Sequence, residues 1–228
     1  MIVRSDPVVR RMPGGRQLFT RYAVAWVYLA VFCAAEIVYS LLSHHDQQAI
    51  LAWASTNLHN LPRNPVGCMV ASAFFPAASL LAWPPLIALA MFPANGILGN
   101  WRTVLVCGTG HVIGTLVSEG ILWFQIVHGT MPASERFVID VGPSYVVVTA
   151  IAVVLVWGSW LARAAAAVAF LVLVFVGQIF AGISSLALAP VGHATALFTG
   201  LTLGSLIVRR RRRAMRPATA ALAASEAV

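Results

Sequence analysis

The sequence predicts an all-α membrane protein whose six transmembrane helices form one bundle, with both termini in the cytoplasm. The chain of 228 residues is 60% hydrophobic but only 10% charged, whereas a soluble globular chain is about 25% charged. Apolar runs of about 20 residues, the length of a membrane span, recur along it. All fifteen basic residues are arginines, and they flank these runs. This composition excludes a water-soluble fold and also a disordered chain, which requires low hydrophobicity.

The first span separates a basic segment from an interfacial one. Residues 1–21 are polar and basic and are expected to form a cytoplasmic N-terminal segment. The apolar run 22–42 is too long for the core of a signal peptide, so it is expected to remain as the first span. Residues 43–64 mix polar and apolar positions, which predicts a segment along the outer interface with Trp53 as an anchor.

Residues 65–93 carry no charge but are interrupted by Pro76, Pro84 and Pro85. This run is too long for one straight span and too short for two. Because irregular backbone at membrane depth is tolerated only inside protein, we expect a re-entrant piece at about 66–75 and a span at about 79–92. A short loop at 95–102 then leads to the next span.

Four further spans complete a membrane domain over residues 22–208. They are expected at about 103–127, 141–160, 164–188 and 191–208. The remaining residues, 209–228, are expected to form a disordered cytoplasmic tail. This tail begins with five consecutive arginines, which indicates a stop-transfer anchor to anionic lipid.

The distribution of the arginines predicts the orientation. With six spans and the N-terminus inside, thirteen of the fifteen arginines lie in cytoplasmic segments, and only Arg63 and Arg136 lie outside. The positive-inside rule requires such a bias, so a multi-pass protein of the cell membrane is expected. A net charge of +8 can also indicate nucleic-acid binding. Because the arginines flank apolar runs, membrane lipids are the expected partners instead of nucleic acid.

Few ionisable side chains interrupt the spans. Each costs on the order of 2.5–3.5 kcal/mol at a helix centre, so each is a candidate functional residue. They are Glu36 in the first span, His111 and Glu119 in the third and His193 in the sixth, with Asp140 at the mouth of the fourth. Glu36 lies near the outer end of its span and is expected to reach the interface.

A serine and a histidine occur at matching depth on two parallel spans. Ser144 lies at the start of span 4 and His193 at the start of span 6, and both spans run from outside to inside. At about 1.5 Å per residue, both lie ~5–8 Å below the outer interface. Span 6 indicates close helix packing, because small residues recur every four positions beside His193: Gly192, Ala196, Gly200 and Gly204.

The opening of span 4 indicates how such a serine could be activated. Gly142 can turn the chain, and Pro143 suits the first helical position. Ser144 then falls in the first turn, where backbone N–H groups lack partners and can stabilise an oxyanion. A serine hydroxyl is a weak nucleophile until a base takes its proton, and His193 is the candidate base.

Two acids could assist the proposed pair, and a purely structural role for the serine and the histidine is the alternative. Asp140 or Glu119 could orient the imidazole, although a Ser–His dyad requires neither of them. The structural alternative is a serine that caps its helix and a histidine that donates a hydrogen bond to a backbone carbonyl.

These residues resemble the rhomboid intramembrane serine proteases, and in particular their divergent actinobacterial branch. Rhomboids have a six-span core, a Gly-x-Ser motif that opens span 4, and a span-6 histidine followed by small residues. Gly142-Pro143-Ser144 and His193-Ala194-Thr195-Ala196 with Gly200 match this pattern. Further similarities lie at 56–61, 64–66, 72–74, Gly99-Asn100-Trp101-Arg102, Gly110-His111 and Asp140-Val141-Gly142. The resemblance implies a membrane-embedded protease that admits its substrates laterally.

Several positions depart from the rhomboid pattern. The residue after the serine, usually glycine, is Tyr145, and the aromatic residue one turn later is Val148. The His-x-x-x-Asn pair that helps to form the oxyanion site in span 2 of rhomboids is absent from residues 79–92. His111 lies in span 3 and cannot replace this pair by position. A structural role is expected for it, hydrogen-bonded within the bundle with Thr115 one turn along.

Two functions remain open at this point. One is an intramembrane serine protease that cleaves transmembrane segments of membrane proteins near the outer leaflet through Ser144 and His193. The other is a catalytically inactive rhomboid-like protein that binds transmembrane partners, which Tyr145 and the missing pair favour. A transporter or channel would show inverted repeats or several polar residues at the midplane, where His111 is the main one. No metal or organic cofactor is implied, because no His/Cys cluster has ligand spacing.

Overall fold

The computed structural model of the protein describes residues 15–75 and 82–214. Within these ranges the chain is helical and contains no β-strand. The helices are α1 (Gly15–Arg21), α2 (Ala23–Leu41), α3 (His44–Ala54), α4 (Pro65–Ser72), α5 (Trp83–Leu98), α6 (Asn100–Val127), α7 (Ser144–Trp157), α8 (Trp160–Phe175) and α9 (Leu188–Thr199). Short 3₁₀ turns lie at Ala133–Phe137 and Ile183–Ser185, and a π-helical turn at Gly200–Gly204 follows α9.

Three helices in the described ranges are long and apolar enough to cross a membrane: Ala23–Leu41, Asn100–Val127 and Leu188–Ala214. Three more apolar helices, α5, α7 and α8, have 16, 14 and 16 residues, fewer than the ~20 that a full crossing requires. The all-helical fold is therefore confirmed, and the apolar helices fit a membrane protein. The count of six spans and the cytoplasmic termini stay predictions.

Helix α7 forms the centre of the bundle. Every residue from Tyr145 to Val154 is buried, and α7 contacts α5, α6, α8 and α9. Its sequence explains this position, because a helix that is apolar on all sides is stable only when other helices or lipid surround it. The residue that begins α7, Ser144, is therefore held by the most enclosed helix of the fold.

Glycines bring α6, α7 and α9 into close contact. The Tyr145 ring packs directly on Gly192 of α9, and the Thr149 side chain packs on Gly110 of α6. The Thr149 hydroxyl donates to the Ala196 carbonyl oxygen at 3.2 Å. A Cβ atom at Gly200 would lie 2.5 Å from the Thr149 carbonyl oxygen. The prediction that the small residues of span 6 permit close helix approach is confirmed.

Helix α5, the second predicted span, lies further along the chain than predicted. The span expected at 79–92 is a helix that continues through Pro93 to Leu98, and residues 79–81 lie outside the described ranges. The loop expected at 95–102 reduces to Gly99, whose φ of +81° suits glycine. The predicted loop began too early because Asn95, a residue common in loops, lies inside the helix here. It is buried and accepts the backbone N–H of Ala25 at 3.1 Å.

The fifth predicted span ends earlier than expected. Helix α8 stops at Phe175, whereas the apolar pattern extended it to residue 188. Residues 176–187 form irregular backbone that includes the left-handed residues Gln178, Gly182 and Leu186, with φ of +50°, +86° and +54°. Apolar composition alone does not reveal such a break, because irregular backbone in contact with protein can be equally apolar.

The helix that contains α9 extends past the predicted end of the membrane domain, and part of the N-terminal segment is also helical. The tail predicted to be disordered from residue 209 is helical as far as Ala214, continuous with α9. Residues 15–21 of the N-terminal segment form α1, and residues 1–14 and 215–228 lie outside the described ranges. A contact with α7 supports this extension of the helix, because the Arg212 guanidinium stacks over the Trp157 ring at 4.7 Å.

Helix α4 occupies the first part of the segment predicted to be re-entrant. The Asn64 side chain caps it by accepting the Gly67 N–H at 3.1 Å, and Pro65 takes the first helical position. The last residue of α4, Ser72, reaches His111 of α6. Helix α4 therefore lies beside the middle of α6.

Gly200→Ala tests the contact between α7 and the helix that follows α9. The added Cβ atom would meet the Thr149 carbonyl oxygen at 2.5 Å and the Ala152 Cβ atom at 2.8 Å, so we expect a loss of roughly 1–3 kcal/mol in the free energy of unfolding. Gly120→Ala is the matched control, since nothing lies within 4 Å of its added Cβ atom. Thermal unfolding in detergent measures both variants, and equal stability of the two would contradict the packing described here.

Candidate active site at the start of α7

A glycine turn sets the start of α7. Gly142 has a φ of +141°, and its N–H donates to the Ser72 carbonyl oxygen at 2.7 Å. The first helical hydrogen bond runs from the Val147 N–H to the Pro143 carbonyl oxygen at 2.9 Å. The predicted turn at Gly142 is confirmed, although the helix begins at Ser144 and not at Pro143. The N–H groups of the first turn, beginning with Ser144, therefore have no partner within the helix.

His193 is buried at the start of α9, with 5% of its surface exposed. Its Nδ1 atom lies 3.0 Å from the Ile179 carbonyl oxygen. Because a carbonyl only accepts, Nδ1 carries the proton and Nε2 is the bare, basic nitrogen. Nε2 is buried and has no hydrogen-bond partner in the described part of the chain.

No hydrogen bond joins Ser144 to His193 in the described part of the chain. His193 bonds only through Nδ1, to Ile179. The residue next to Ser144, Tyr145, packs edge-on against the His193 ring with 5.0 Å between ring centroids. Helices α7 and α9 therefore pack against each other, and Tyr145 makes the direct contact with His193. The meeting of the Ser144 hydroxyl with the His193 imidazole stays a prediction.

Sequence reasoning missed two of the residues that make this site. Tyr145 was noted only as a departure from the rhomboid pattern, yet it contacts Gly192, His193 and Asp140. Ile179 was placed inside a regular span, where its carbonyl would be used by the helix. The Gly177-Gln178 pair and Gly182 were the available signals of irregular backbone there.

Asp140 holds Tyr145 and the segment at Thr56, and it makes no contact with the imidazole that it could have oriented. Its carboxylate accepts the Tyr145 hydroxyl at 3.4 Å and the Thr56 hydroxyl at 3.3 Å. Its backbone also pairs with this segment, since the Thr56 N–H donates to the Asp140 carbonyl oxygen at 3.0 Å. Burial raises the pKa of Asp140 from 3.8 to about 6, and the two side-chain hydrogen bonds oppose this rise.

Glu119 is the second buried acid near the site, and it makes no contact with the His193 nitrogens. It is 1% exposed, and neither carboxylate oxygen has a hydrogen-bond partner among the described residues. It faces the backbone N–H of Leu58 and lies within electrostatic range of Asp140 and Tyr145. An unpartnered buried carboxyl group is costly, which is typical of groups that a protein keeps for a function.

His111 has the structural role that the sequence predicts, but with different partners. Its Nε2 atom donates to the Met69 carbonyl oxygen at 2.9 Å and lies 3.1 Å from the Ser72 hydroxyl. Both partners belong to α4, and the hydroxyl of Thr115, the expected partner, has none in the described ranges. His111 therefore joins α6 to α4. Its Nε2 atom finds its partners in α4, whereas the sequence spacing had suggested Thr115 in its own helix.

Glu36 does not reach the interface as expected. It is 7% exposed, and both carboxylate oxygens are buried without a hydrogen-bond partner in the described part of the chain. Glu36 lies on the face of α2 that packs against the protein. Its position near the end of the helix therefore does not expose its side chain. No group of three or more His, Cys, Asp or Glu side chains within residues 15–75 and 82–214 is arranged to hold a metal ion.

The Gly-Pro-Ser sequence at the start of α7 and the histidine of the glycine-lined helix α9 lie on two helices that pack together. The chain belongs to the rhomboid-like protein family, whose family model matches residues 18–214. Neither a curated protein nor a solved structure matches the chain. The family membership covers both helices of the candidate site.

The raised pKa of Asp140 predicts that stability falls as the pH rises. Below about pH 4 the carboxyl group is protonated in the folded and unfolded states alike, and above about pH 6 it is ionised in both. Burial of the ionised form then costs stability, so the free energy of unfolding falls between these values, by roughly 3 kcal/mol at most.

Unfolding midpoints in detergent from pH 4 to pH 8 measure this effect. We expect Asp140→Asn to make the fall in stability shallower, because an amide does not titrate. Glu135→Gln, a change five residues earlier in the same loop, is the control and should leave the fall larger than in Asp140→Asn. A wild-type midpoint that rises with pH across this window would contradict the burial of Asp140.

Proposed function

We propose that the protein is an intramembrane serine protease in which Ser144 is the nucleophile and His193 the general base. The observation that carries the proposal is the state of His193. Its Nδ1 atom is held by the Ile179 carbonyl, and its buried Nε2 atom is free to accept a proton. This imidazole lies beside the residue that follows Ser144. Membership of the rhomboid-like family supports the assignment.

The carbonyl of Ile179 replaces the carboxylate of a classical triad. A hydrogen bond at Nδ1 selects the tautomer in which Nε2 is basic, and a carboxylate or a carbonyl can both accept it. The carboxylate adds stabilisation of the imidazolium, which a neutral carbonyl supplies less strongly. The proposed enzyme is therefore a dyad whose base is oriented by irregular backbone after α8.

Each step of the reaction can be assigned to a group at the site. His193 Nε2 removes the proton of the Ser144 hydroxyl as the oxygen attacks the carbonyl carbon of the scissile peptide bond. Free N–H groups of the first turn of α7, together with the positive end of the helix, stabilise the oxyanion. The imidazolium then protonates the leaving amine, and a water molecule hydrolyses the acyl-enzyme with His193 again acting as base.

Gly142 and Asp140 act on this site through its framework. The turn at Gly142 aims the start of α7, and its N–H ties that turn to Ser72 of α4. Asp140 holds the Tyr145 hydroxyl and so limits how far the tyrosine ring can move from His193. We assign both as positioning residues, since neither contacts the Ser144 hydroxyl or the His193 nitrogens.

The proposed substrates are transmembrane segments of other membrane proteins. The site lies at the end of α7 and α9 that the predicted topology places near the outer leaflet of the cell membrane. A substrate helix would have to enter laterally and unwind there, because only an extended peptide exposes its carbonyl carbon to a nucleophile.

Fluorophosphonate labelling of the purified chain tests the nucleophile. We expect labelling of the wild type and none of Ser144→Ala, because the reagent forms a bond to an activated serine oxygen. His193→Gln should slow labelling by about 10²–10⁴-fold, the usual contribution of a general base. Mass spectrometry of the labelled peptide identifies the modified residue.

Ser134→Ala is the matched control, since this exposed serine lies in the loop that leads to α7. It should label at the wild-type rate. Labelling that survives in Ser144→Ala, or a complete lack of labelling and of cleavage across a panel of transmembrane substrates, would exclude the protease assignment.

The second candidate function is a non-proteolytic protein that binds transmembrane partners. One observation favours it: Tyr145, where rhomboid proteases usually have glycine, packs against His193, and no hydrogen bond joins this histidine to Ser144. In an apo enzyme such a bond can be long and tighten only with substrate, so this observation alone does not decide between the two functions.

Tyr145→Gly separates the two functions. If the ring blocks an otherwise competent dyad, removal of the ring should increase fluorophosphonate labelling of Ser144. If the protein only binds partners, labelling should stay absent in Tyr145→Gly, and photo-crosslinking should capture the same partners in the wild type and in Ser144→Ala. Thermal unfolding is measured in parallel, because loss of this buried ring costs roughly 3–5 kcal/mol.

A further inference from the structure

A groove with two arginines lies at the same end of the bundle as the candidate site, outside the residues that carry the proposed chemistry. Its volume is about 360 Å³, which falls within the range of small-molecule sites. The residues that define it are Leu58, His59, Arg63, Trp123, Val127 and Arg136. None of its lining residues is acidic.

The two arginines of this groove are the two that the predicted topology leaves outside the cytoplasm. Arg63 and Arg136 are 73 positions apart in the sequence, yet both line the same cavity. Arginines are usually rare outside the cytoplasm. Two of them that line one groove there indicate that the groove receives a negatively charged group. The groove itself offers no carboxylate to serve as that partner.

His59 connects the two arginines. The Arg63 Nη1 atom donates to the His59 carbonyl oxygen at 2.7 Å and lies 3.1 Å from the His59 Nδ1 atom. The His59 N–H donates to the Arg136 carbonyl oxygen at 3.2 Å. Because Nδ1 accepts from a guanidinium, the proton of a neutral His59 lies on Nε2, which can donate to an anion. The remaining N–H groups of the Arg63 guanidinium are also available.

The arginines are not required as caps of α6. Its last carbonyl oxygens already have local partners: Phe124 accepts the His128 N–H at 3.1 Å, Gln125 the Thr130 N–H at 2.9 Å, and Ile126 the Gly129 N–H at 3.1 Å. A cation at a helix C-terminus is usually explained by these groups and by the helix dipole. Here those groups already have partners, so helix capping does not explain why Arg63 and Arg136 line one groove.

The apolar wall of the groove is a lipid-facing surface. Trp123 and Val127 lie one turn apart at the end of α6, with 57% and 60% of their surface exposed. Exposed tryptophan at the end of a transmembrane helix is typical of the headgroup level of a bilayer. The groove thus combines an apolar surface for acyl chain with cationic donors at the depth of lipid phosphates.

We infer that this groove binds the phosphate of an anionic phospholipid, with Arg63, Arg136 and His59 as donors and with Trp123 and Val127 against the acyl chain. Guanidinium groups match phosphate oxygens through paired N–H donors, and their charge favours an anionic over a zwitterionic headgroup. The site does not depend on whether Ser144 cleaves a substrate.

Photo-crosslinking in vesicles tests this site in the full-length chain. Phosphatidylglycerol and phosphatidylcholine with the same photoactivatable acyl chain are compared, and crosslinks are mapped by mass spectrometry to the peptide that contains residues 123–127. We expect this peptide to prefer phosphatidylglycerol, and Arg63→Gln/Arg136→Gln to reduce that preference by about tenfold or more. A peptide over residues 37–41 of α2, exposed and without arginine, is the internal reference.

Two arms decide the ligand. Arg209→Gln/Arg212→Gln removes two charges at the other end of the bundle and should leave the preference at 123–127 unchanged. Added inorganic phosphate at constant ionic strength should not displace the lipid. Loss of the preference with added phosphate would reassign the groove to free phosphate and overturn the lipid assignment. Equal crosslinking of both lipids, or an unchanged preference in Arg63→Gln/Arg136→Gln with a wild-type unfolding midpoint, would overturn the site itself.

Discussion

The close packing of α7 between α6 and α9 is the constraint on which the rest of the fold depends. Lipid supplies no hydrophobic driving force between helices, so van der Waals contact and a few polar bonds must hold them together. Gly192 and Gly200 let α9 approach α7 until backbone and side chains touch, and the Thr149 hydroxyl then bridges the two helices. Larger residues at these glycines would separate the helices, and Tyr145 would lose its contact with His193.

Segments outside the helices set the chemistry at the top of this packed core. The irregular backbone after α8 supplies the Ile179 carbonyl that selects the His193 tautomer. The outer loop at Thr56 holds Asp140, and Asp140 in turn holds Tyr145. The helices therefore determine which residues lie near one another, while the connections between them determine which atoms of those residues remain free.

The candidate site contains two buried acids that a Ser–His dyad does not require, and each candidate function gives them a different use. Glu119 is buried without a hydrogen-bond partner among the described residues and lies within electrostatic range of Asp140, although neither acid contacts the imidazole. Such groups cost stability wherever they lack hydrogen bonds. A protease can use them to place water near an acyl-enzyme, whereas a binding protein can use them to receive polar groups of a partner helix. The arginine groove at the same end is lined by two cationic side chains and by no acidic one, so it differs in charge from the region around Asp140 and Glu119.

Composition and apolar periodicity were sufficient to predict the helical membrane fold, the Gly142 turn and the approach of span 6, because these depend on hydropathy, on glycine conformation and on small-residue spacing along one segment. The family resemblance rested on the same local motifs. Only the tertiary structure placed Tyr145 against His193 and ended α8 at Phe175. Those features depend on contacts between segments distant in sequence, where a neighbour's carbonyl or ring decides which conformation and which partner each residue takes.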